Sequence, residues 1–123
     1  MLNLTLPAEA GIITPQPGEV LMVTNADLRE PANVTCWPTQ KQFEQRLETA
    51  LETLGYRLRR AHPVNERRGH GFISSQKEGS ELFAGIDPDA PIIVLLTAWQ
   101  YSHHLAPSLV HHRGPILLLA NFD

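Results

Sequence analysis

The sequence has little cysteine, no excess of positive charge and no long apolar run. Cys36 is the only cysteine among 123 residues. A single thiol closes no intrachain disulfide and builds no Cys-based zinc site, so a reducing compartment is its natural home. Ten Lys and Arg stand against 13 Asp and Glu, a formal charge of −3. A nucleic-acid role therefore has no electrostatic support, and the basic runs at 57–60 and Arg67-Arg68 are short and separated. The apolar run Ile92–Leu96 is far too short to span a bilayer. Residues 1–18 carry no Lys or Arg and do not read as a signal peptide. A soluble, cytoplasmic chain is expected, without nucleic acid or membrane among its partners.

What is present is a globular composition, 42% hydrophobic and 19% charged. A chain of this length can bury roughly two thirds of its unfolded surface, enough for one core without staples. Residues 1–18, with Pro7, Gly11, Pro15, Pro17 and Gly18, read as an irregular leader, and 19–123 as one domain. Glu19–Thr24 is a nearly unbroken apolar run, the signature of a strand covered on both faces. Residues 26–38 read as a polar loop. Thr39 and Gln42 have capping-box spacing. Phe43, Leu47, Ala50, Leu51 and Leu54 then form one stripe of helical period, which Gly55 can end in the left-handed region. Tyr56–His62 alternates like an edge strand with a wet face.

A polar loop follows at 63–71, then a brief extended piece at Phe72-Ile73. Ser75 and Glu78 repeat the capping-box spacing and open a helix with Leu82, Phe83 and Ile86 on one side, stopped by Asp87-Pro88-Asp89. Residues 90–97 are the strongest strand and a central one. A third helix is expected from Ser102 to about His112, with Pro107 inside it. Residues 116–120 form a fourth strand. The alternation of strands and helices predicts an α/β fold: a three-layer Rossmann/flavodoxin-like parallel sheet of about four strands, helices on both faces. The edge character of the second strand suggests the order 2-1-3-4. The chain stops just after a strand expected to be internal, so it reads as a domain truncated after its fourth strand.

In such sheets ligands bind at the carboxyl ends of the strands. Those ends carry Asn25, Asp27, Arg29 and Glu30; His62 and Asn65; Trp99, Gln100, Tyr101 and Ser102; and Asn121, Phe122 and Asp123. Hydrogen-bonding groups beside aromatic plates suit a sugar, which has polar edges and apolar C–H faces. Other chemistries of this topology fit poorly. The segment 24–29 has no glycine, which argues against a dinucleotide fingerprint and a phosphate-cradling loop. A receiver domain wants an aspartate where Ala98-Trp99 stands. Cys36 has no histidine that the sequence places beside it. His103-His104 and His111-His112 lack the i, i+4 pairing of helical metal ligands and suit a solvated or interface helix. His70, between Gly69 and Gly71, suggests a tightly turned or mobile loop that can act as a ligand lid.

Four segments carry a family resemblance: residues 26–30 (Ala-Asp-Leu-Arg-Glu), 70–79 (His-Gly-Phe-Ile-Ser-Ser-Gln-Lys-Glu-Gly), 97–102 (Thr-Ala-Trp-Gln-Tyr-Ser) and 114–122 (Gly-Pro-Ile-Leu-Leu-Leu-Ala-Asn-Phe). Together they resemble the N-terminal domain of the L-fucose isomerase / L-arabinose isomerase superfamily, in particular its fucose isomerase-like members, over about residues 19–123. The resemblance implies the first domain of a longer, manganese-dependent aldose–ketose isomerase of carbohydrate metabolism. Its partners would be a sugar substrate, the remaining domains of the parent enzyme and further copies in a homo-oligomer. Arg29 and Trp99 match substrate-wall positions of the fucose isomerases. Gln100, Tyr101 and Asn121 are further candidate substrate-binding residues. No catalytic residue and no metal ligand is expected in this chain; Mn²⁺ would be held by later domains. The alternative is a non-catalytic sugar-binding or oligomerisation module.

Overall fold

The computed structural model describes residues 12–96 and 102–120. Four parallel strands form one sheet: β1 (Glu19–Val23), β2 (Arg57–Arg60), β3 (Ile92–Leu96) and β4 (Ile116–Ala120), in the order β2-β1-β3-β4. This is the doubly wound, flavodoxin-like arrangement expected from the alternation of elements. Between the strands lie helix α1 (Glu30–Thr53), helix α2 (Gln76–Ala84), a 3₁₀ turn at Ser102–His104 and a short helix α3 (Ala106–Leu109).

The two-residue period of the strands divides the core in two. Leu21 and Val23 of β1 join Ile92 and Val94 of β3 on one face, packed with Ile73, Ile86 and Leu105. Met22, Ile93 and Leu95 point to the other face, where Leu47 of α1 meets them with Phe43 and Leu51 beside it. Helical material thus covers both faces. β2 is an edge strand whose residues alternate between exposed and half-buried, as its sequence pattern implies. β4 lies at the other edge of the described sheet, and Ile116, Leu117 and Leu118 are exposed.

Two expectations need correction. The first helix does not begin at a Thr39 cap; it starts nine residues earlier, at Glu30, and holds Pro38 in its interior. Its buried members Asn33, Trp37, Gln40 and Leu47 continue the stripe of Phe43 and Leu51 backwards, but two of them are polar. Gln40 donates to Glu44 at 2.8 Å, and Glu44 pairs with Arg60 at 3.4 Å. Burial pushes the Glu44 carboxyl up from its ordinary value, and it lowers that of Arg60. An apolar periodicity cannot register a stripe built from such pairs. Pro38 deprives the Val34 carbonyl of a partner, a cost that packing of Trp37 against Phe72 and Ala26 offsets.

The second correction concerns the segment after β3. No helix runs from Ser102 to His112; the chain forms the 3₁₀ turn, breaks at Leu105 and resumes as α3. Pro107 sits in the first turn of α3, where its missing N–H costs nothing, and it disfavours a helix passing through from residue 103. Elsewhere the local signals operate as written. Gly55 takes φ +88° just after α1. The Ser75 hydroxyl accepts from the Glu78 N–H at 3.1 Å and caps α2, which runs Gln76–Ala84. The leader is tied down at Ile13, which bridges Ile86.

Candidate functional site

The order β2-β1-β3-β4 reverses the winding direction between β1 and β3. Their carboxyl ends are therefore where a doubly wound sheet opens a crevice. The Thr24 hydroxyl donates to the Leu95 carbonyl at 2.5 Å and ties those two ends together. Asn25 bridges Ile73, so the brief extended piece extends this edge. Asn25, Ala26 and Asp27 are all but fully buried beneath it.

Arg29 caps this turn at the start of α1, and its side chain is 69% exposed. The Asp27 carboxylate, buried to 1%, holds it: Nη2 lies 2.5 Å from Oδ2, and Nε lies 3.1 Å from both oxygens. The Arg29 N–H adds a fourth bond to Asp27 at 2.9 Å. Hydrogen bonding from Arg29 takes the Asp27 carboxyl down to about 2, so the pair is ionised across the neutral range. Asn33 in turn grips the Asp27 backbone, its Oδ1 accepting from the N–H and its Nδ2 donating to the carbonyl, each at 2.9 Å. The result is a guanidinium fixed at the edge by groups that are themselves buried.

Behind Arg29 lies a second polar cluster. Arg68 pairs with Glu30 and with Glu78, each at 2.6 Å, and contacts the Ser74 hydroxyl. His70 Nε2 meets the Glu30 carboxylate at 2.5 Å, while its Nδ1 accepts from the Phe72 N–H at 3.1 Å. These bonds assign the Nε2-protonated tautomer and occupy both ring nitrogens, so His70 is no general base. Arg68, with support from His70 and Ser74, takes the Glu30 carboxyl down to about 2. The cluster fastens the 63–71 loop to the first turns of α1 and α2. Gly69, at φ +78°, closes the turn over the Asn65 side chain, which accepts from the Arg67 and Arg68 N–H groups. His70 is fully buried. Of the two expectations for this loop, the structure shows the tight turn, with the imidazole bonded to Glu30 under the edge.

His62 is also architectural. It is buried, its Nε2 accepts from the Thr24 N–H at 3.2 Å, and burial with the nearby Arg60 charge takes its pKa down to about 3. His104 lies beneath the edge on the opposite side. Burial and the adjacent His103 lower its pKa, against the opposing influence of the Ala26 backbone, Glu78 and Asp27. Gly79 makes this approach possible: a Cβ there would stand 1.9 Å from the His104 carbonyl oxygen. A cavity of about 720 Å³ opens between α2 and α3, with His104 among its lining residues.

Of the residues singled out in the sequence, Arg29 stands past the carboxyl end of β1, at the start of α1. Trp99, Gln100, Tyr101 and Asn121 lie outside the described residues. Cys36 is half-buried against the Ala26–Trp37–Phe72 cluster. Sequence reasoning missed Asn33, Arg68 and Ser74 as members of the site, and it read Glu78 only as a cap. Among the described residues, no group of three or more His, Cys, Asp and Glu is placed to hold a metal ion, and no helix is long and apolar enough to cross a membrane.

The fold and edge thus define a doubly wound α/β domain with a preorganised arginine at its switch point. No protein-family model, curated protein or solved structure matches the chain.

Proposed function

We propose that the chain is a substrate-wall and assembly domain of a metal-dependent aldose–ketose isomerase acting on a sugar such as L-fucose or L-arabinose. The observation that supports this reading best is Arg29, an exposed guanidinium held by a buried carboxylate at the β1–β3 switch point. Asp27 fixes its direction and offsets its charge, so it suits the hydroxyl oxygens of a neutral polyol. Isomerisation moves a proton between adjacent carbons through an enediol; a bound Mn²⁺ would polarise the two oxygens, and a carboxylate base would carry the proton. The role proposed for this chain is to bind and orient the substrate.

The test is an NMR titration of the chain with L-fucose and L-arabinose. Saturable shifts are expected at 24–33 and 102–104, with a Kd on the order of millimolar, a few kcal/mol of binding. Arg29→Lys keeps the charge but loses the fork, and is expected to bind about tenfold more weakly with the fold intact. A chain that shifts with no aldose, ketose or alditol would overturn the reading. Expression of the natural reading frame that contains these residues, with Mn²⁺, should give ketose from one of these sugars. The exposed apolar residues of β4 favour the assembly half of the proposal. Sedimentation that finds only monomer, for this chain and for that whole frame, would remove that half.

A further inference from the structure

We infer that Asn33 is the positioning residue of this edge: its side-chain amide fixes Asp27, and through Asp27 it sets the direction of the Arg29 guanidinium. The inference rests on the proposed reading only for the ligand that Arg29 meets.

Asn33 lies in the fourth position of α1 and is fully buried. Asparagine is a poor choice there, because its short amide competes with the helical backbone and burial strips it of water. Its contacts supply the reason. The Asp27 N–H needs an acceptor and the Asp27 carbonyl needs a donor. The one side-chain amide supplies both, at 2.9 Å each. The two needs also settle which end of the amide is oxygen. Aspartate offers no donor, alanine offers neither group, and glutamine is one methylene too long for the same reach.

From there the restraint travels through the Asp27 side chain. Its carboxylate binds the Arg29 N–H, Nε and Nη2. Three of those atoms cannot be satisfied together unless Asp27 keeps its present backbone orientation. Among the described residues, Asn33 is the side chain that binds both the Asp27 N–H and the Asp27 carbonyl. Arg68 and His70 hold the neighbouring Glu30 instead. Arg29 is the exposed end of the relay and Asn33 its buried end.

The experiment compares the wild-type chain, Asn33→Ala and Asn33→Asp by NMR. It reads the Arg29 Nε–H resonance with its exchange rate, and the L-fucose and L-arabinose affinities. In the wild type, the bond to Asp27 should keep this proton resolved and slow to exchange. Both variants should lose that protection, and sugar binding should weaken on the order of tenfold, the effect of one lost charge-assisted hydrogen bond. Leu47→Ala, which opens the core about four turns further along the same face of α1, supplies a destabilised control. It should leave the Arg29 signature and the affinity as they are. An Arg29 Nε–H in Asn33→Ala as protected as in the wild type, with unchanged affinity, would overturn the inference. If the wild type binds neither sugar, the proposed function fails, and the Nε–H exchange alone then decides for or against the relay. If Asn33→Ala does not fold, Asn33→Ser, read for the same proton, carries the same decision.

Discussion

His62 makes the stability of this domain depend on pH in a window set by one buried imidazole. Burial takes its pKa from the ordinary 6.5 to about 3, and the Arg60 charge pushes in the same direction. The native state therefore keeps His62 neutral where the unfolded chain already binds a proton. The stabilisation is fully present above pH 6.5 and is lost progressively as pH falls towards 3. At pH 5.5 the unfolded chain gains about 1.4 kcal/mol over its value at pH 7.5, a tenfold increase in the unfolding constant. With a urea m-value of about 2 kcal/mol/M for a domain of this size, the midpoint should fall by about 0.7 M. His62→Gln supplies the control, because an amide oxygen can still accept from the Thr24 N–H but does not titrate. Urea unfolding of both proteins at the two pH values isolates the imidazole, since the buried His104 titrates in both and cancels. Equal losses of stability in wild type and His62→Gln would refute the reasoning.

The close packing of α2 on the 3₁₀ turn gives a prediction opposite to helix propensity. In Gly79→Ala the new Cβ meets a backbone carbonyl at 1.9 Å, so the usual gain of about 1 kcal/mol should be replaced by a loss of about 2 kcal/mol or more. A melting temperature above wild type in a thermal scan would contradict this. Arg68→Met removes the main cause of the depressed Glu30 pKa. The Glu30 carboxyl ¹³C shift should stay flat down to pH 3.5 in the wild type and titrate near its ordinary range in the variant. The same substitution should cost about 1–2 kcal/mol, because charge-assisted bonds to partly exposed carboxylates are screened by water.

The fold was legible wherever the physics was local or strictly periodic. The unbroken apolarity of 92–96 and of 116–120 marks strands, and the structure has them at those positions. The alternation Tyr56 to His62 marks an edge strand, and β2 is one. Ser75 with Glu78 and the glycine at 55 mark helix ends by side-chain and backbone chemistry that needs no distant partner. The reading failed where distant partners decide. The first turns of α1 are held by Arg68 and His70 on Glu30 and by Trp37 on Phe72, contacts that no window of the sequence contains. The site was legible in position more than in composition. Arg29 was placed past the carboxyl end of β1 by its distance along the chain, whereas Arg68 and Ser74 come to Glu30 from a separate segment.

The sequence by itself therefore determined the class of fold, the strand order and the residues that follow β1, because apolar period and connection length are properties of the chain alone. Only the tertiary structure decided what those edge residues are bonded to. It bonded His70 to Glu30 and made His62 a neutral acceptor. It brought Arg68 onto Glu30 and Glu78, beside the relay that Asp27, Arg29 and Asn33 make within one turn. The physical reason is that burial and pairing fix charge, tautomer and side-chain direction, and both arise between segments that meet only when the sheet is wound.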